Sequence, residues 1–447
     1  MVKMSENFLG KDTVLVFHVY HQMALVYLSS AVGKPHDSCA ELVKYDIISG
    51  AEEVIVPIVD VAPSNQTFPG LYTTNLKEMI WVSVGDGYVI LLDSYWRSRT
   101  VILAVHLDSK AVVNLTPTGT ESWSLLGTSE CGQIIVTKSA PNHPSVLVYG
   151  KFDSESPIDW NVITKPPIKR ETLALLQQIS YSINSIPGRD SNLEVVLIKS
   201  NSKLHSFAKT GSTPLIVMPH GGPHGCTSTS FSFNIAAFCS LGFSCLVVNY
   251  TGSTGFGNDS IKKLIGRIGT LDIDDVHSAA LWASKQSGID SQNVFLHGGS
   301  HGGFITAHLL ARDPGFYRAG CLRNPVINVG AMVSDSDIPD WTFGEAGIEF
   351  DSRVPKLLSP EDYVKMYGAS PASQIKDKVS PALLMLGKGD RRVPPSQGLR
   401  WAEYLKGAGH DIQTLMFPNV GHALDTFEAE RYGFEAGASF FIQHLRI

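Results

Sequence analysis

The segment Gly298-Gly299-Ser300-His301-Gly302 is a G-x-S-x-G element. At average glycine usage the bare pattern turns up by chance in about one chain in seven of this length, so its surroundings decide its weight. The apolar run Val294-Phe295-Leu296 precedes it, and Gly302-Gly303-Phe304-Ile305 follows as a small-residue helix start. A strand, a sharp turn and a helix in succession lift a serine hydroxyl clear of a sheet edge. The turn strains the serine backbone, and flanking glycines relieve the crowding. Ser300 is the candidate nucleophile.

A serine hydroxyl is a weak nucleophile at neutral pH, so it needs a histidine base and an acid to orient that base. On an elbow of this kind the partners follow in the order acid, then histidine. Leu383-Leu384-Met385-Leu386-Gly387-Lys388-Gly389-Asp390 reads as a buried strand running into a loop with an acid. Leu415-Met416-Phe417-Pro418-Asn419-Val420-Gly421-His422 reads as a strand running into a loop with a histidine. Both loops leave the carboxyl ends of strands, where open α/β sheets place their sites. Asp390 and His422 are therefore predicted to complete the triad. Asp335, Asp337 and Asp340 follow no comparable strand end. Asp425 is expected to cap the last helix. His297, His301 and His308 lie too near Ser300 along the chain to fold back as its base, and His410 sits at the wrong end of its strand.

The same chemistry needs donors for a developing oxyanion. Val217-Met218-Pro219-His220-Gly221-Gly222-Pro223 ends a strand in glycines, as a backbone donor loop does. The predicted oxyanion hole is the N–H of Gly222 with that of His301; Pro223 fixes the turn but cannot donate. Gly252-Ser253-Thr254-Gly255-Phe256-Gly257 has the order G-x-x-G-x-G, wrong for a dinucleotide loop, and no helix opens at once. It reads as a loop on the active-site side.

The elements that must carry these residues come in two grammars. Residues 1 to about 165 hold short runs rich in Val, Ile, Leu and aromatics, separated by Gly, Pro, Asn, Asp and Ser. Tyr45–Gly50 and Val105–Lys110 look like two copies of one hairpin, which suggests β-propeller blades, with a plain β-sandwich as the other choice. Pro166-Pro167 marks a linker. From about residue 175, strand-like and helix-like runs alternate, which argues a mostly parallel sheet covered by helices on both faces. The expected fold is an N-terminal all-β domain (a partial β-propeller, residues 1–165) and a C-terminal α/β-hydrolase domain (residues 166–447).

The bulk composition is compatible with this. The 447 residues are 43% hydrophobic and 17% charged, which excludes a disordered chain. A net charge of −6 argues against nucleic acid as a partner. No apolar run approaches the ~18 residues of a membrane span, so no membrane partner is expected. The start Met1-Val2-Lys3-Met4 leads into no apolar signal core. Six scattered cysteines form no CxxC pair and read as reduced thiols, so a cytoplasmic location is expected. No metal and no cofactor is expected, and a homo-oligomer is left open.

Several segments in order carry a family resemblance: His220–His224, Asn249–Gly257, Gly298–Phe304, Arg323–Asn328, Asp337–Trp341, Gly389–Pro394 and Gly421–Ala423. Together they resemble the acylaminoacyl-peptidases (acylamino-acid-releasing enzymes) of the prolyl oligopeptidase family of serine peptidases. The resemblance implies release of an N-acylated, typically N-acetylated, amino acid from a short peptide, with Ser300, Asp390 and His422 as the triad. It also implies that Val326 lines the pocket for the residue before the scissile bond. Arg323 is a candidate substrate contact, with a structural ion pair as its other reading. Thr251 stands where the family usually has arginine. About 165 residues hold only three or four blades, fewer than the family's propeller has, as a short isoform or an incomplete gene model would; an open arc of blades is expected. A general oligopeptidase or esterase, and an inactive truncated form that only binds partners, are the competing functions.

Overall fold

The computed structural model describes residues 13–21, 24–31, 35–64, 66–73, 76–85, 87–153, 156–187, 193–201, 211–350, 356–375 and 378–446. The N-terminal residues read for a targeting signal lie outside these. The chain forms two compact units, and they do not follow chain order. The first is Met1–Arg170 with the two later segments Cys226–Phe231 and Thr254–Ile261; the second is the remainder.

The first unit is built on β-sheets. Its strands form three four-stranded antiparallel sheets in succession. Strands β1 (Thr13–His21), β2 (Ala24–Ala31), β3 (Glu41–Asp46) and β4 (Glu52–Val56) make the first. The second is β5 (Trp81–Val84), β6 (Gly87–Trp96), β7 (Arg99–His106) and β8 (Val112–Asn114). The third is β9 (Ser122–Thr128), β10 (Gln133–Ala140), β11 (His143–Lys151) and β12 (Asn161–Thr164). Each is a simple up-and-down meander, the blade repeat of a partial propeller. Asp46 closes the first copy of the repeated hairpin, its Oδ1 accepting from the N–H of Ile48 (3.0 Å) and Ser49 (2.7 Å). In β6 and β7 the runs Val89–Leu92 and Val101–Val105 are buried without alternation, so the middle sheet is covered on both faces.

The late segments are tied into this unit through its backbone. Thr229 N–H donates to Ser98 O (2.9 Å), Arg97 N–H to Gly255 O (2.9 Å) and Asn258 N–H to Val59 O (2.9 Å). The glycine-rich stretch 252–257 thus serves two ends. Its second half joins the β unit, and its first half stays beside the loop that follows His220.

The second unit is built on an eight-stranded sheet. Its strands are β13 (Ile179–Ser185), β14 (Glu194–Ser200), β15 (Thr213–Pro219), β16 (Ser244–Asn249), β17 (Ile289–Gly299), β18 (Tyr317–Arg323), β19 (Ala382–Gly387) and β20 (Ile412–Phe417). The spatial order is β13-β14-β16-β15-β17-β18-β19-β20, antiparallel through β14–β16 and parallel beyond. Every residue of β16 and of β19 is buried, as both faces of an inner parallel strand require. The helices of the chain are α1 (Arg170–Leu176), α2 (Phe233–Ser240), α3 (Asn258–Leu264, whose residues up to Ile261 belong to the first unit), α4 (Leu271–Ala283), α5 (His301–Arg312), α6 (Val329–Met332), α7 (Pro339–Glu345), α8 (Pro360–Gly368), α9 (Ser396–Gly407) and α10 (Phe427–Gln443). This is the α/β-hydrolase architecture. α10 is capped by Thr426, whose Oγ1 accepts from Ala429 N–H (3.2 Å), so the expected cap at Asp425 falls one residue early. Among the described residues no helix is long and apolar enough to cross a membrane.

Candidate active site

β17 ends at Gly299 and α5 begins at His301, leaving Ser300 alone at the corner. Its φ of 55° and ψ of −120° are strained values for a residue with a side chain. The corner is closed by Ser300 N–H donating to Arg323 O (2.8 Å) and Phe304 N–H donating to Ser300 O (3.0 Å). A Cβ on Gly298 would run into the backbone carbonyl of Gly302, so the strand can turn this tightly only with glycine there. Helix α5 starts at this corner, and a helix N-terminus favours negative charge beside it.

The acid and the base leave neighbouring strands. After β19, Asp390 is 4% exposed. Its Oδ1 accepts from the N–H of Arg392 (2.9 Å) and Val393 (3.0 Å), and its Oδ2 from Nδ1 of His422 (2.7 Å). Three donors converge on one buried carboxylate, which fixes both its orientation and the imidazole it faces. Asp390 and His422 are thus joined. Among the described residues no hydrogen bond links Ser300 to His422, a contact that in ligand-free sites often tightens only when substrate binds.

The loop after β15 lies against Ser300. A Cβ on Gly221 would come within 3.4 Å of Ser300 Cβ and 3.2 Å of Gly299 O. Among the described residues neither the Gly222 nor the His301 N–H makes a backbone hydrogen bond outside the helices and strands. The loop is braced from several sides. Tyr250 stacks on the His220 ring and its hydroxyl donates to His220 O (3.1 Å). His220 Nε2 lies 2.7 Å from Ser253 Oγ, and its Nδ1–H donates to Gly221 O (2.7 Å). Burial, with the His301 and His224 rings nearby, pushes the His220 imidazole down to about 4, so it stands there neutral. Trp341 Nε1–H donates to Gly222 O (2.9 Å) while its ring meets that of His301 edge-on. His301 in turn is held by Asp272, Nε2 to Oδ2 at 2.8 Å, with both side chains fully buried.

Arg323 and Val326 flank the corner. Val326 is 1% exposed, and its N–H reaches Ser300 O at 3.4 Å. The Arg323 guanidinium is turned to the histidine loop, Nη2 donating to Ala423 O (3.1 Å) and Leu424 O (3.3 Å). Thr251 is anchored through its backbone, its N–H donating to Asp275 Oδ2 (2.9 Å). That contact needs no arginine at the position.

Family models match both parts of the chain. The prolyl oligopeptidase family matches residues 229–447, and the acylamino-acid-releasing enzyme N-terminal domain matches residues 44–173. The chain belongs to the prolyl oligopeptidase family. Among its relatives, the human acylamino-acid-releasing enzyme is 35% identical over 439 residues, covering 95% of this chain and 57% of that protein. The Arabidopsis thaliana acylamino-acid-releasing enzyme is 34% identical over 411 residues, covering 88% and 53%. The chain therefore spans about half the length of the curated relatives it matches. Among solved structures, a puromycin hydrolase superposes with a TM-score of 0.74 at 21% identity, covering 98% of this chain and 62% of that one. The Pyrococcus horikoshii acylaminoacyl peptidase gives 0.68 at 18% identity, covering 97% and 70%. At these identities the two structures speak to the fold alone.

Around this family's nucleophile corner, sequence reasoning passed over Tyr250, Asp272, Asn324 and Trp341 as site residues. Tyr250, Asn324 and Trp341 lie inside segments that carried the resemblance, which was the available signal for them. Asp272 lies in none of those segments.

Proposed function

We propose that this chain is a serine peptidase that releases N-acylated, typically N-acetylated, amino acids from the N-terminus of short peptides. The observation that carries the reading is the strained Ser300 corner with the 220–223 loop packed on it, beside a buried Asp390 hydrogen-bonded to His422. In this reading Ser300 Oγ attacks the carbonyl of the acylated first residue. His422 Nε2 takes the hydroxyl proton, and Asp390 holds the imidazole through Nδ1–H. The N–H groups of Gly222 and His301 receive the oxyanion. Collapse of the tetrahedral species expels the peptide amine, which leaves with the proton from His422. Water, deprotonated by the same imidazole, then attacks the acyl-enzyme and frees the acyl amino acid and Ser300.

Val326 is assigned to the wall of the pocket for the acylated residue. Arg323 Nη2 is committed to the histidine loop, so any substrate contact falls to its other N–H groups. In the same reading residues 1–165 are the partial propeller and 166–447 the peptidase domain. The relatives' names support the substrate class, and six cysteines present as thiols suit a cytoplasmic setting. The test is labelling by a fluorophosphonate probe with turnover of an acetyl-alanyl peptide and of a simple ester. Labelling at Ser300 with preference for the acetylated peptide supports the proposal. Absence of labelling removes it, and equal turnover of any ester reduces it to a general esterase.

A further inference from the structure

Three chain segments must be held in register for the triad to work: the Ser300 corner, the end of β19 that leads to Asp390, and the loop that presents His422. They converge on two adjacent residues at the end of β18. Arg323 O accepts from Ser300 N–H (2.8 Å), and Asn324 N–H donates to Met385 O in β19 (2.9 Å). The Asn324 side chain then spans the remaining gap. Its Oδ1 accepts from Gly387 N–H (2.8 Å), where β19 ends, and its Nδ2 donates to His422 O (2.9 Å) and Gly421 O (3.4 Å). Asn324 is 1% exposed, with φ at 42°. Asparagine enters that left-handed region more readily than most residues.

We propose that Asn324 is a positioning residue: its amide sets the place of the His422 backbone relative to Ser300 and to the strand that delivers Asp390. This rests on the triad reading above. The carboxylate of Asp390 fixes how the imidazole is turned, but not where the loop beneath it sits. That loop carries two non-glycine residues at positive φ, Asn419 (58°) and Leu424 (50°), so its shape is held by outside contacts. Those contacts come from Gly389 N–H, which donates to Val420 O (2.9 Å), from Asn324 at His422 itself and from Arg323 at the two residues after it. The hydrogen bonds made at this place call for a side-chain amide. The amide must give two hydrogen bonds to carbonyls and accept one from an N–H, which a carboxylate or a hydroxyl cannot do.

The test uses Asn324→Gly and Asn324→Asp in the full chain. Glycine keeps the left-handed backbone and removes the amide. Aspartate is isosteric and keeps the acceptor for Gly387 N–H, but turns an oxygen toward the carbonyls of Gly421 and His422. Both should lower kcat about 10- to 100-fold with KM within about threefold, a displacement-sized loss for a misplaced catalytic group. The rate of fluorophosphonate labelling should fall in proportion, with cooperative unfolding retained above the assay temperature. A fall confined to KM, or wild-type kcat and labelling rate in either folded variant, overturns the proposal. Should glycine prevent folding, the aspartate variant alone decides. The parent protein separates the two readings. If it does not label at Ser300, the triad assignment has failed; if it labels and the variants match it, only the role of Asn324 has.

Discussion

The sharpest consequence of the site geometry concerns Asp390→Asn. The change is isosteric and removes one buried charge. Oδ1 of Asp390 is pinned by two backbone donors, Arg392 N–H at 2.9 Å and Val393 N–H at 3.0 Å. In the variant the amide oxygen must keep that place, since an amide nitrogen there would face two N–H groups. The NH2 is then forced toward His422 Nδ1, 2.7 Å away in the parent. A donor at that position makes Nδ1 an acceptor and moves the ring proton to Nε2, the atom that should take the serine proton. The base is present but in the wrong tautomer. The corresponding change in a chymotrypsin-type protease costs about 10⁴ in kcat, equivalent to about 5 kcal/mol of barrier. The same loss is expected here, with KM little changed and the thermal unfolding midpoint within a few degrees. Steady-state kinetics on an acetyl-alanyl anilide measure it. A loss under tenfold, or one expressed only in KM, would refute the orientation argument and with it the role of Asp390.

Three further outcomes are expected. Ser300→Ala should abolish hydrolysis and probe labelling, with a loss on the order of 10⁶ in kcat as in subtilisin, and leave the fold intact; substantial residual turnover would place the nucleophile elsewhere. Trp341→Phe removes the donor to Gly222 O and should lower kcat about tenfold with little effect on KM; unchanged kcat would show that the 220–223 loop holds its shape without it. Stability should fall in acid. Burial pushes the His308, His220 and His297 imidazoles down to about 4. These rings are neutral in the fold but protonate near 6.5 when unfolded. Their contribution is whole above that value and is lost as pH falls from about 6.5 toward 4. For His308, only 5% exposed, the loss reaches about 3 kcal/mol at pH 4. Thermal unfolding followed from pH 7 to pH 4 checks this, and a midpoint constant over that range would contradict it.

Local sequence was enough wherever the chemistry is written within a few residues. Ser300 was legible because a glycine-framed serine between an apolar run and a helix start has few other reasons to exist, and the backbone adopts the strained corner that this pattern implies. The pairing of Asp390 with His422 was legible because each follows a strand by a few residues, and strand ends in a parallel sheet share one edge. The Tyr45–Gly50 and Val105–Lys110 hairpins were readable from their repeated turn residues. Strand β18 was not: Tyr317-Arg318-Ala319-Gly320-Cys321-Leu322-Arg323 has neither alternation nor a long apolar run, and it forms only because β17 and β19 cover both its edges. What β18 delivers was hidden for the same reason. Asn324 finds His422 O at 98 residues' separation, and Trp341 finds Gly222 O at 119. A hydrogen bond across such a gap imposes no spacing or periodicity on the chain near either partner. The residues proposed to do the chemistry were marked by local pattern; those that hold them in register were decided only when the sheet brought distant loops to one edge.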